Sequence, residues 1–218
     1  MKIIAVNGSP RKNGNTAVLL QNALRGAEAN NAGTRMINLY DLDFKGCISC
    51  FVCKKKGNRC NGLCAVRDDL TEVLKDILAC DVLIIGSPIY FGNVTGEIRS
   101  FLERLLFPNL SYNEGERSVF PGKLASAFIY TMNVPEDVMH QINYDAIFQQ
   151  NRHLLNIISE DPEVLLSCDT YQFSDYSGYE ASGFDEAHKA KVRERQFPVD
   201  CQKAFDMGAR LTMAGKKD

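Results

Sequence analysis

Five short apolar runs, each followed by a stretch of helical periodicity, constrain this chain more than any other feature. "KIIAVN" (2–7) is apolar on successive residues, as a strand covered on both faces must be. "AVLLQNALRGA" follows, with Ala17, Leu20, Leu24 and Ala27 on one helical stripe. "TRMINL" (34–39) is a second strand, and "DDLTEVLKDILA" a helix that Asp68 or Asp69 can cap. "DVLIIGS" (81–87) is a third strand, and Ile98, Phe101, Leu102, Leu105 and Leu106 line the next helix. "KLASAFIY" (123–130) is a fourth strand, a helix spans about 138–159, "EVLLSC" (163–168) is a fifth strand, and a helix near 199–214 closes the chain.

Such an alternation requires a parallel sheet with helices on both faces. The expected fold class is α/β: a flavodoxin-like three-layer sandwich whose five-stranded parallel sheet runs 2-1-3-4-5, with a crevice at the carboxyl edge beside the first strand. With 218 residues, 45% hydrophobic, the chain is read as one domain over 1–218. Beside a Cys-rich loop at 46–64, two stretches exceed ordinary connections, the long loops 108–122 and 169–198, the second carrying Tyr171, Phe173, Tyr176, Tyr179 and Phe184. Loops of that length line sites or form subunit contacts. A formal net charge of −2 gives no reason to expect nucleic acid. The first apolar run breaks at Gly8, too early for a signal peptide or a membrane span. A cytoplasmic protein is therefore expected, in which thiols stay reduced.

The first strand ends in "NGSPRKNGNT" (7–16). Its small polar residues let the backbone turn sharply, and the helix that starts near Asn15 or Thr16 aims its positive end at the same point. Ser9, Asn15 and Thr16 add donors and Arg11 a charge. Gly8 and Gly14 have five residues between them, and Asn15 stands where a Walker loop needs lysine. The Gly-x-Gly-x-x-Gly spacing is absent as well, so a mononucleotide is favoured over a dinucleotide. The third strand ends in "GSPIYFGNVTGEI" (86–98). Pro88 is rigid, Tyr90 and Phe91 offer aromatic faces, and Gly92 allows close approach of a flat ligand. In the 2-1-3-4-5 order the two loops are neighbours. A phosphate loop beside an aromatic loop describes a flavin mononucleotide (FMN) pocket.

Cys47, Cys50 and Cys53 are spaced C-x2-C-x2-C, and Cys60 and Cys64 follow. The close spacing suits a 4Fe–4S cluster. The pairs Cys50/Cys53 and Cys60/Cys64 suit zinc, and free thiols are the third reading. Cys80, Cys168 and Cys201 lie in apolar or amphipathic contexts and are read as packing residues. His140, His153 and His188 have no ligand-like spacing, and no nucleophile constellation emerges, so no catalytic side chain is assigned.

"GSPRKNGNT", the cysteine stretch followed by "RDDL", and "GSPIYFGNVTG" together resemble the NADPH-dependent FMN reductase group of flavodoxin-like proteins, and most of all its iron–sulfur flavoprotein branch. The resemblance implies FMN phosphate contacts from Ser9, Arg11, Asn15 and Thr16. It implies ring or ribityl contacts from Pro88, Ile89, Tyr90, Phe91, Gly92 and Asn93, with Thr131 and Asn133 as candidates for the ring edge. It implies a cluster on Cys47, Cys50, Cys53 and Cys60, although Cys64 holds the place just before "RDD" that the family's last cysteine takes. NAD(P)H is the implied co-substrate, a small molecule or redox protein the acceptor, and a homodimer or homotetramer the assembly. An electron carrier working with ferredoxin, and a flavin-binding module with structural zinc, are the alternatives. Flavin chemistry asks the protein for position and electrostatics, and donors to the reduced ring are expected from Asn93 and the backbone of 89–92.

Overall fold

Each of the five apolar runs is a strand in the computed structural model, which describes residues 1–57, 61–122 and 124–214. In chain order the main elements are β1 (Lys2–Asn7), α1 (Asn15–Glu28), β2 (Gly33–Asn38), α2 (Leu70–Leu78), β3 (Val82–Pro88), α3 (Gly96–Leu106), β4 (Ala125–Thr131), α4 (Glu136–Gln141), α5 (Asp145–Leu155), β5 (Glu163–Ser167) and α6 (Glu186–Ala214). The sheet order is β2-β1-β3-β4-β5, and every pairing is parallel. The expected fold class is observed. Cys60, and Lys123 at the head of the fourth predicted run, lie outside the described residues.

Alternation along the strands sorts the core into two layers. Ile3, Ala5, Val82, Ile84, Ala127 and Ile129 pack with α1 and α6. Ile4, Val6, Leu83, Ile85, Phe128 and Tyr130 pack with α2, α3 and α5. At the head of α2 the Asp68 carboxylate accepts the Leu70 N–H at 3.2 Å.

Two helices differ from the expectation. The helix predicted over 138–159 is two helices, because Asn143 takes φ 60. A residue in the left-handed region ends a helix, and asparagine tolerates it. The final helix starts at Glu186 rather than near 199 and runs through Pro198, which shortens the expected 169–198 loop. A proline inside a helix forfeits a backbone bond at a cost of about 3 kcal/mol. Here burial of Phe197, Ala204, Met207 and Leu211 beneath the sheet outweighs it. The approach of α6 to α1 is close: a Cβ on Gly208 would lie 1.8 Å from the Ala23 carbonyl oxygen, and one on Gly26 1.9 Å from that of Phe205.

Candidate functional site

The site begins at the carboxyl end of β1, where β2 and β3 flank it on opposite sides. The backbone crosses over the sheet rim at Gly8, whose N–H donates to the Gly86 carbonyl at 2.8 Å. The Thr95 hydroxyl, at the N-terminus of α3, donates to the Gly8 carbonyl at 2.8 Å. A Cβ on Gly8 would meet Ile98 at 2.1 Å, so the phosphate loop and the loop after β3 are locked together. Within the first loop the Ser9 N–H donates to Asn7 Oδ1 (3.0 Å) and the Arg11 N–H to Ser9 Oγ (3.1 Å). Gly14 caps α1 without a side chain, and the first turn holds no acidic residue. The helix therefore presents its leading N–H groups and positive end outward.

Nine of the twelve expected flavin contacts line one cleft of about 530 Å³: Ser9, Arg11, Asn15, Thr16, Pro88, Ile89, Tyr90, Thr131 and Asn133. Its volume lies in the range of small-molecule sites. The Thr16 and Thr131 hydroxyls share a 2.8 Å hydrogen bond in its floor. Phe91, Gly92 and Asn93 do not line it. They form a tight turn in which Tyr90 and Asn93 exchange backbone hydrogen bonds (2.8 and 3.0 Å). Phe91 sits at φ 49, fully exposed, and Asn93 Oδ1 accepts the Val94 N–H. The Ile89 N–H is also spent, on the Thr131 carbonyl.

The far wall comes from the stretch expected as the 169–198 loop. Thr170–Ser174 and Arg193 line the cleft. This strap is fastened to the phosphate loop: Arg11 Nη1 donates to the Gln172 carbonyl (2.6 Å) and Asn15 Nδ2 to that of Tyr171 (2.9 Å). Its rings are braced by one another: Phe173 stacks on Tyr179, and Tyr176 meets Tyr171 and Phe173 edge-on. The strap and the β4 loop are tied to α6 by Lys189, whose Nζ donates to the Asn133 carbonyl (2.6 Å) and pairs with Asp169. His188 Nε2 bonds the same carboxylate at 2.6 Å. Lys189, Arg193 and Phe197 recur at helical spacing in the sequence, but a proline at 198 locally favours a helix boundary there.

The cleft suits FMN on three counts. Among its described lining residues there is no carboxylate, while Arg11 and Arg193 are both there. The start of α1 is open to an anion. Asn133 Oδ1, in the wall, is buried without a hydrogen-bond partner, and such an orphan calls for a ligand donor or a water.

The cysteines form a separate patch. Cys47, Cys50, Cys53 and Cys64 line a space of about 10 Å³ with Phe51, Glu103 and Phe107, which is room for about one water. Arg104 Nε donates to Cys64 Sγ at 3.0 Å, and the Cys47 N–H donates to Glu103 Oε2 at 3.1 Å. The donor types suit an iron–sulfur cluster, but the described cysteines, with Cys60 outside them, do not surround a space that would hold one. Among the described residues no three His, Cys, Asp or Glu side chains are grouped to hold a metal ion. Away from the patch, burial pushes the Cys80 and Cys168 thiols up to about 12 each, in keeping with inert packing residues.

The family model described as NADPH-dependent FMN reductase matches residues 1–141. An iron–sulfur flavoprotein of Methanocaldococcus jannaschii is 38% identical over 104 residues, covering 48% of this chain and 51% of that one. One of Archaeoglobus fulgidus is 30% identical over 145 residues, covering 66% and 61%. The matched stretch thus spans about half the length of these curated relatives, or somewhat more. Among solved structures, an NAD(P)H:quinone oxidoreductase from Methanothermobacter marburgensis has a TM-score of 0.70 at 13% identity, covering 97% of this chain and 96% of that one. That likeness concerns the fold.

Proposed function

This chain belongs to the NADPH-dependent FMN reductase family, and on that premise we propose that it is an FMN-dependent oxidoreductase. Electrons enter from NAD(P)H and leave to a small-molecule or redox-protein acceptor. The observation that carries the reading is one cleft lined by an uncapped helix start, by two guanidinium groups and by Pro88–Tyr90. FMN, when bound, supplies hydride acceptance and one-electron transfer. Ser9, Arg11, Asn15 and Thr16, with the leading N–H groups of α1, hold its phosphate. Pro88, Ile89 and Tyr90 wall its ring, and Thr131 and Asn133 meet the ring edge. In the 89–93 turn the N–H groups of residues 89, 90 and 93 are spent inside the protein. Donation from the remaining N–H groups of Phe91 and Gly92 to negative charge on the ring requires this turn, which does not line the cleft, to fold over it.

The test is direct. Purified protein is expected to be yellow, or to take up one FMN per chain, and to oxidise NADPH in steady state. A colourless, folded preparation that takes up no FMN refutes the reading. Flavin uptake with no pyridine-nucleotide turnover leaves an electron carrier instead.

A second reading concerns the cysteines and is supported by the relatives named iron–sulfur flavoproteins. A 4Fe–4S cluster on Cys47, Cys50, Cys53 and either Cys60 or Cys64 requires the patch to open from its present 10 Å³. Iron against zinc content of anaerobically purified protein distinguishes a cluster from a structural metal and from free thiols. Among the described residues no helix is long and apolar enough to cross a membrane. One domain working in the cytoplasm as a homodimer or homotetramer completes the proposal.

A further inference from the structure

The cleft is built from two parts of the chain with different standing. The phosphate loop and the loop after β3 lie inside the family-matched segment 1–141, whereas Arg193 lies on α6, outside it. Three observations give Arg193 a role. Its Nη1 donates to Asn15 Oδ1 at 3.0 Å, which brings a guanidinium to the first residue of α1, beside that helix's open N–H groups. Its Cζ lies 4.3 Å from the Phe197 ring centroid, so the side chain is held by a cation–π contact one turn along α6. Neither Arg193 nor Arg11 makes an ion pair among the described residues, and no carboxylate lines the cleft there.

Two uncompensated positive charges converge on one helix start. A phosphate monoester near pH 7 carries between about 1.5 and 2 negative charges, so it matches both guanidinium groups and over-neutralises either alone. Arg11 and Arg193 each have one N–H committed, to the Gln172 carbonyl and to Asn15 Oδ1, and the rest of each planar fork is suited to phosphate oxygens.

We infer that Arg193 is a second phosphate-recognition residue, delivered by α6, and that it makes the cleft select FMN over riboflavin. The inference rests on the flavin reading above and adds a specificity determinant to it.

The experiment titrates FMN and riboflavin separately into flavin-free protein, at fixed low salt, for wild type, Arg193→Gln and Arg193→Lys, and records thermal melting of each flavin-free form. The expected result is FMN affinity at least about tenfold weaker in Arg193→Gln. Riboflavin affinity should stay within about twofold, and Arg193→Lys should fall between for FMN. The wild type should also lose FMN affinity more steeply with added salt than Arg193→Gln does. Equal weakening of both flavins, or unchanged FMN affinity, overturns the inference. Should Arg193→Gln melt far below wild type, Arg193→Lys decides by the same FMN-to-riboflavin comparison. A wild type that binds neither flavin removes the flavin reading and this inference together. A wild type that binds FMN while Arg193→Gln is indifferent removes only the role of Arg193.

Discussion

Arg104→Met removes a side chain whose every donor is engaged. Arg104 is fully buried, its side chain 0% exposed against 17% for Asp68. Nε reaches Cys64 Sγ at 3.0 Å. Nη1 reaches the Lys45 carbonyl (2.8 Å) and Asp68 Oδ2 (2.7 Å), and Nη2 the Val66 carbonyl (3.1 Å) and Asp68 Oδ1 (3.1 Å). All five N–H groups are thus satisfied. Methionine keeps much of the volume but leaves a carboxylate, two carbonyls and a sulfur without their donor. Breaking a buried pair by deleting one member costs about 3–5 kcal/mol. Asp68 keeps some exposure and can recruit water, so the lower part of that range, about 3–4 kcal/mol, is expected. For a chain of this size each kcal/mol shifts the melting temperature by about 2–4 °C, giving a drop of roughly 6–16 °C by calorimetry or circular dichroism. The cycle with Asp68→Asn sharpens the test, because asparagine still offers an acceptor to the Leu70 N–H. The double variant should recover about 1 kcal/mol or more relative to the sum of the singles. A drop below about 3 °C, or strict additivity, would refute the claim that this buried fork clamps both ends of the cysteine loop.

Two further outcomes are expected. Gly208→Ala should lower stability by about 1–2 kcal/mol: overpacking against the Ala23 backbone costs about 1–3 kcal/mol or more, and improved helix propensity returns up to about 1. Denaturant titration reads it, and equal or greater stability than wild type contradicts the close helix approach. Asp76 is held below its ordinary carboxylate range, first by its hydrogen bond from Lys2 and then by the charges of Lys2 and Arg35. A lowered pKa in the folded state stabilises the protein above the unfolded value near 3.8, and that contribution disappears as pH falls through the folded value. Asp76→Asn should therefore flatten the acid limb of stability below about pH 4 and leave its slope near neutrality unchanged. A parallel acid limb in the variant would show that Asp76 titrates alike in both states.

The sequence by itself determined the sheet. Runs such as "KIIAVN" and "DVLIIGS" are apolar on both faces, and only a strand covered on two sides can use them. The turns at residues 7–16 and 86–93 were legible for the same local reason, since turn residues and an open helix start follow from neighbours in the chain, but not that Phe91–Asn93 would stay out of the cleft. Tertiary structure alone decided what depends on partners far away in sequence. Pro198 reads locally as a stop, yet the helix passes through it because Phe197, Met207 and Leu211 find a core supplied by β1, β3 and β4. That passage carries Arg193 to Asn15 and fastens the 170–174 strap across the cleft. The sulfur of Cys64 meets a guanidinium forty residues away for the same reason. Periodicity records how deeply an element is buried, whereas the identity of its neighbour is set only when the layers close.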